Sequence, residues 1–196
     1  MNGESRKFEF SPENLELANA HIAKYPEGRQ ASAVLPLLDL AQRQNGGWVS
    51  REAMVYIADF LDMAEIRVYE VATFYTMVNL NPVGKHLIQL CRTTPCWLRG
   101  SDDLRDACTN ELGIGIGEST EDGMFTLVEV ECLGACVNAP MVQINDDFYE
   151  DLSAARMIEI LAMLRRGEQP SAGSQTGRQT SAPTTGLTTL LDGGTA

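Results

Sequence analysis

Two short phrases hold four of the chain's five cysteines. In CRTTPCWLRG (91–100) four residues separate Cys91 from Cys96, and in ECLGACVNAP (131–140) three separate Cys132 from Cys136. Thiols placed this way can form disulfides, ligate zinc, hold an iron–sulfur centre or pack as small apolar groups. The start, MNGESRKFEF, has no apolar core of a secretory signal and lacks the Arg- and Ser-rich character of a transit peptide. It therefore predicts a reducing compartment, where recurring cysteine pairs bind metal or do redox work more often than they form disulfides. Structural zinc sites favour tight Cys-x-x-Cys knuckles, and plant-type ferredoxins crowd three cysteines into one loop. The wider spacings here suit a larger object, with one pair bracketing each iron of a 2Fe–2S unit. On spacing alone an iron–sulfur centre is favoured, with zinc and redox-active or inert thiols as open alternatives.

Composition narrows the remaining classes. A net charge of −12 argues against a nucleic-acid binder, which needs a clustered positive surface. No run approaches the roughly 18 apolar residues of a membrane span. At 196 residues the chain is long enough to bury a core without covalent staples.

The elements that must position the cysteines follow from periodicity and punctuation. Residues 1–80 read as a helical bundle. Ser11-Pro12 opens a first helix that Pro26 and Gly28 end. ASAVLPLLDLAQRQ forms a second, stopped by Asn45-Gly46-Gly47, with Pro36 predicting either a kink or a helix start near it. Ser50 caps a third, and AEIRVYEVATFYTM is a fourth, apolar over much of its surface and expected to be well buried. After the turn Asn81-Pro82-Val83-Gly84 the pattern becomes β-type. HLIQL is a strand ending on Cys91, Ser101 caps a helix terminated by Gly113, and MFTLVEVE is a strand running into Cys132. MVQI and FYED form a hairpin around Asn145-Asp146-Asp147, and Ser153 starts a last helix that ends before Gly167.

The resulting order, β-α-β-β-β-α over 81–167, suits one layered α/β domain. A right-handed crossover through the 102–112 helix makes strands 86–90 and 125–131 parallel neighbours. Their C-terminal ends then share one sheet edge, which brings the two cysteine loops into a single four-thiolate site. From Glu168 to 196 the composition turns to Gln, Ser, Thr, Pro and Gly, a tail disordered alone or ordered by a partner.

Several other features have bland readings. Cys108 shares a helical face with Leu104, Ala107 and Leu112 and reads as a buried small hydrophobe. G-I-G-I-G (113–117) follows a helix instead of preceding one, so it reads as a helix cap and turn, not a nucleotide loop. Arg92 and Arg99 read as solvated surface in preference to charge compensation. Trp97 either shields the site from water or packs on the sheet edge. His21 and His86 default to packing or surface roles. Gly134 allows close approach of backbone N–H groups to a sulfur, and Pro140 stands where a cis bond is an open alternative.

C-R-T-T-P-C-W-L-R-G-S-D-D-L together with V-E-C-L-G-A-C-V-N-A-P-M-V-Q-I-N-D-D-F-Y-E-D-L closely resembles the family of 2Fe–2S subunits of NADH:quinone oxidoreductase, respiratory complex I. E-V-A-T-F-Y-T-M-V (70–78) and G-L-T-T-L (186–190) match as well, so the resemblance covers nearly the whole chain. It implies an α+β protein: an N-terminal helical bundle, a thioredoxin-like α/β domain with a mixed sheet, and an extended C-terminal tail. It implies that Cys91, Cys96, Cys132 and Cys136 ligate one 2Fe–2S cluster, and no ligand position departs from the pattern. It implies an electron-transfer subunit with no catalytic residues or NADH site of its own. Its partner would be the flavin- and NADH-binding subunit, carrying FMN, within the peripheral arm of the complex. Its place would be peripheral on the cytoplasmic side of the bacterial inner membrane, or the matrix side if mitochondrial. Similar subunits occur in NAD-linked hydrogenases and formate dehydrogenases, which is the second reading. A zinc-stabilised interaction module is the third.

Overall fold

The structure is a computed structural model that describes residues 7–183, 185 and 186. The chain divides into two compact units between Val83 and Gly84.

The first unit holds four helices, α1 (Pro12–Ile22), α2 (Val34–Gln44), α3 (Arg51–Leu61) and α4 (Glu65–Phe74). Local signals set their starts. The Ser11 and Ser50 hydroxyls accept from the N–H groups of Asn14 and Ala53, satisfying donors that the first helical turn leaves open. Pro36 lies in the first turn of α2, where its missing N–H leaves no bond unmade, so the helix starts near the proline and no kink is required. A 3-10 turn, Gln30–Ala33, leads into it. Leu37, Leu38, Ala41, Ile57, Ala58, Leu61 and Val68 are fully buried and join α2, α3 and α4 in one core. The expectation for α4 is overturned. Only Val68 and Ala72 of that helix are buried, while Ile66, Tyr69 and Phe74 are exposed, Phe74 by 77%. A four-helix bundle has room for one stripe of α4, and the remaining apolar residues face outward.

The second unit is a six-stranded mixed sheet with strands β1 (His86–Cys91), β2 (Glu118–Ser119), β3 (Phe125–Val130), β4 (Val142–Ile144), β5 (Asp147–Glu150) and β6 (Gly173–Ser174), ordered β2-β3-β1-β4-β5-β6. β1 and β3 are parallel with Cys91 opposite Val130, as the crossover argument requires. Gly84 leads into β1 so close to β3 that a Cβ there would lie 2.6 Å from the Phe125 carbonyl carbon, and its N–H donates to Thr126 Oγ1. Helices α6 (Ser101–Leu112) and α7 (Ala154–Arg165) pack together. Leu104, Cys108, Met157, Ile160 and Leu161 share a core with Ile88, Leu90, Phe125, Leu127, Val142 and Ile144 of the sheet. A short helix, α5 (Thr94–Leu98), lies between β1 and α6.

Two further expectations change. Ser101 does not cap α6: Gly100, at φ 98°, takes that position, and Ser101 is the first helical residue, buried with its hydroxyl unpartnered. The segment after α7, read as disordered alone or ordered by a partner, pairs in part with its own sheet: Gly173–Ser174 of β6 run parallel to β5, and Pro170 is buried. Residues 187–190 of the G-L-T-T-L match lie outside the described residues. The Ala139–Pro140 peptide is cis. Gly113 at φ 69° ends α6 and the Gly115 N–H donates to Glu118 Oε2, so G-I-G-I-G is a cap and turn.

Candidate metal centre

Period-two alternation puts Cys91 on the sheet face opposite Ile88 and Leu90, away from α6 and α7. There Cys91 and Cys96 form a separate small cluster with Ala139 and Met141, flanked by Leu133, Ala135 and Phe148. Cys91 ends β1, and the Thr93-Thr94-Pro95 turn starts α5, which carries Cys96. Cys132 follows β3, and Cys136 begins a 3-10 turn, Cys136–Asn138. Cys91 and Cys96 are buried, Cys136 is half-buried and Cys132 is exposed. The Cys132 and Cys136 sulfurs are 3.3 Å apart.

The two loops interlock through donors to sulfur. Gly134, at φ 86° in a region that favours glycine, donates its N–H to Cys132 Sγ at 3.4 Å. Burial pushes the Cys91 thiol up, but hydrogen bonds from the Thr93 hydroxyl, the Leu133 N–H, the Thr93 N–H and Cys96 outweigh it and hold Cys91 below the usual range. Burial pushes Cys96 up to about 12 against a hydrogen bond from the Met141 N–H, with the charges of Cys91 and Cys136 adding to the rise. The Gly134 N–H, Cys136 and Thr93 hold Cys132 down. Cys136 is raised by its bond to Cys132, by burial and by the charges of Cys132 and Cys91. All four thiols thus act on one another, and each pair has one sulfur held toward the thiolate form.

All five cysteines are free thiols. Among the described residues no three His, Cys, Asp or Glu side chains converge closely enough to hold a single metal ion. Two adjacent pairs fit a 2Fe–2S unit in its donor chemistry, because each iron takes two protein thiolates and its other ligands are the bridging sulfides. Backbone N–H groups at 133, 134 and 141 aimed at sulfur fit the same group.

Other candidates separate cleanly. Arg92 is partly exposed and not a free compensating charge: its guanidinium bridges Glu129 and Asp102. Trp97, next to Cys96 on α5, is 55% exposed. Cys108 lies in the helix-side core, its thiol pushed up to about 12 by burial. His86 tilts on Phe125, and burial, aided by Lys85, lowers its pKa. Sequence reasoning missed Thr93, Leu133 and Met141 as donors. Thr93 was visible in the T-T-P turn, whereas the two N–H groups carry no side-chain signal.

The family profile for thioredoxin-like 2Fe-2S ferredoxins matches residues 18–165. The chain belongs to that family. Among its relatives, the E subunit of NADH-quinone oxidoreductase from Rickettsia bellii is 59% identical over 165 residues, covering 84% of this chain and 99% of that one. The mitochondrial NADH dehydrogenase (ubiquinone) flavoprotein 2 of Dictyostelium discoideum is 51% identical, covering 97% and 77%. Among solved structures, an NAD+-reducing NiFe-hydrogenase in the air-oxidized state matches with a TM-score of 0.60 at 18% identity over 68% of this chain. This chain spans 23% of that hydrogenase chain, and the likeness is one of fold. For this thioredoxin-like ferredoxin, relatives along most of its length are thus subunits of an oxidoreductase complex, in bacterial and mitochondrial forms alike.

Proposed function

We propose that this chain is the electron-transferring 2Fe–2S subunit of an NADH:quinone oxidoreductase, with Cys91, Cys96, Cys132 and Cys136 as the ligands of one 2Fe–2S cluster. The observation that carries this reading is the meeting of two cysteine pairs at one sheet edge, with backbone donors from each loop aimed at sulfur. A cluster held there supplies one-electron redox chemistry, the kind needed beside a flavin that carries two electrons. The chain's own residues do the rest. Leu133, Ala135, Met141 and Phe148 keep water from the buried pair. The N–H groups of Leu133, Gly134 and Met141 and the Thr93 hydroxyl offset negative charge on sulfur. Arg92 does not, because Glu129 and Asp102 already neutralise it.

The partner is the flavin- and NADH-binding subunit, which carries the FMN and the NADH site. Trp97, Leu98 and Val137, all more than half exposed beside the thiols, support a protein surface docking over the exposed pair. The outward apolar face of α4 supports a second docking area on residues 1–80. The 81–167 domain carries the cluster and the 168–196 segment serves the assembly. No described helix is long and apolar enough to cross a membrane, which accords with a peripheral place on the cytoplasmic or matrix side.

Iron and acid-labile sulfide counts with low-temperature EPR of the dithionite-reduced chain test the centre. Two irons and two sulfides with a g ≈ 1.94-type signal are expected. One zinc and no sulfide would replace this reading with a zinc-stabilised module. Co-purification with hydrogenase or formate-oxidising subunits, in place of quinone-site membrane subunits, would move the chain to the related diaphorase assembly.

A further inference from the structure

The segment after α7 carries an ion pair enclosed almost as a core residue is. Arg178 Nη2 lies 3.1 Å from Asp151 Oδ1, with 12% and 10% of the two side chains exposed. Burying charges is costly unless the remaining donors and acceptors are satisfied. Arg178 directs its Nη1 to the Val137 carbonyl at 3.0 Å and to Asn138 Oδ1 at 3.1 Å, while its Nε is buried with no partner among the described residues. Asn138 is 3% exposed, and its Nδ2 donates to Glu150 Oε2 and to the Thr180 carbonyl, both at 2.7 Å. The Asp151 N–H donates to the Asn138 carbonyl at 2.7 Å. Asp151 Oδ2 accepts from the Ser174 hydroxyl, whose oxygen in turn accepts the Arg178 N–H.

These bonds close a network over three pieces of chain: residues 174–180, the end of β5, and the 3-10 turn whose first residue is Cys136. The loop before that turn is tied to the buried thiols through Leu133 and Ala135, whereas the turn itself, with the Val137 side chain 66% exposed, is held mainly by this network.

We propose that Arg178 is a positioning residue that clamps the Cys136–Asn138 turn and so sets where the Cys136 sulfur stands relative to Cys132. The proposal rests on the reading of Cys136 as a cluster ligand, and it makes the tail a working part of the site. Asp151 anchors the clamp, and Asn138 transmits it to the turn.

The test uses the full chain as wild type, Arg178→Gln and Arg178→Lys. In metal-free protein, alkylation by iodoacetamide is followed by peptide mass, with Cys136 as the reporter and Cys108 as the control. Arg178→Gln should speed Cys136 alkylation and chelator-driven iron loss from reconstituted protein by about tenfold, the low end of what loss of an outer-shell partner does. It should also broaden the EPR signal while leaving Cys108 unlabelled. Arg178→Lys should fall between, because an ammonium keeps the Asp151 pair but lacks the fork that spans both turn acceptors. Wild-type rates and an unchanged signal in Arg178→Gln would overturn the proposal. Labelling of Cys108 as fast as Cys136 would mean wholesale unfolding, and Arg178→Lys then decides by the same two rates. A wild-type chain that takes up no iron or sulfide removes the cluster reading alone, and the alkylation rates still decide the clamp.

Discussion

Thr93 is the side chain that touches both halves of the thiol site. Its hydroxyl lies 3.5 Å from Cys91 Sγ and also bonds Cys132. A donor to sulfur stabilises added negative charge, so Thr93→Val should lower the midpoint potential of the reconstituted centre. The expected drop is on the order of tens of millivolts, the equivalent of one neutral hydrogen bond of about 1 kcal/mol, read by EPR-monitored redox titration. Cys108 gives the contrasting case. Cys108→Ala should leave the iron and sulfide counts and the EPR signal intact, and loss of the signal would show that it had been a ligand. The same residue gives a pH signature. Its folded pKa is raised by burial from 9.0 to about 12, so the folded state holds the proton that the unfolded state releases. That contribution to stability is complete below about pH 9 and is lost as pH rises toward 12. Urea midpoints measured across that window should fall less steeply in Cys108→Ala than in wild type.

At the scale of elements, close approach and exposed faces matter most. A methyl at Gly84 would overlap the backbone of β3 at Phe125, and backbone cannot step aside as a flexible side chain can. Gly84→Ala should therefore cost about 1–3 kcal/mol of stability, the range for overpacking, measured by chemical denaturation. The outward face of α4 predicts the opposite behaviour. Phe74→Ser should change stability by no more than about 0.5 kcal/mol, as surface substitutions do, yet weaken co-purification with the proposed flavin-binding partner. A large stability loss would mean that Phe74 is a core residue after all. The apolar richness of α4 was plain in the sequence, but its destination was not. Periodicity shows which residues could be buried, whereas the number of neighbours available to bury them is a property of the bundle. The Ser101 cap failed for a related reason: Gly100 reaches φ 98° at no steric cost and takes the capping position one residue earlier.

At the scale of the whole molecule, the thiols and their donors Thr93, Leu133, Gly134 and Met141 all belong to the unit that starts at Gly84, which has its own core. Residues 84–196 expressed alone should therefore take up the cluster with an unchanged EPR signal, and failure to do so would tie the site to the helical unit. Much of this was determined by the sequence itself. Capping serines, glycine stops and period-two strands are local signals, and they located α1, α3, β1, β3 and the β4–β5 hairpin. The parallel pairing of β1 with β3 followed from chain connectivity, which carried both cysteine loops to one edge. What only the tertiary structure decided depends on partners distant in sequence. Arg178 in a polar tail has no local pattern that points to Asp151 and the Val137 carbonyl, 27 and 41 residues back. Arg92 reads as solvated surface until Glu129 and Asp102 are folded against it. Composition and periodicity record what a residue can do with its immediate neighbours. Which buried charge it meets, and which backbone N–H faces a given sulfur, is fixed when the sheet assembles.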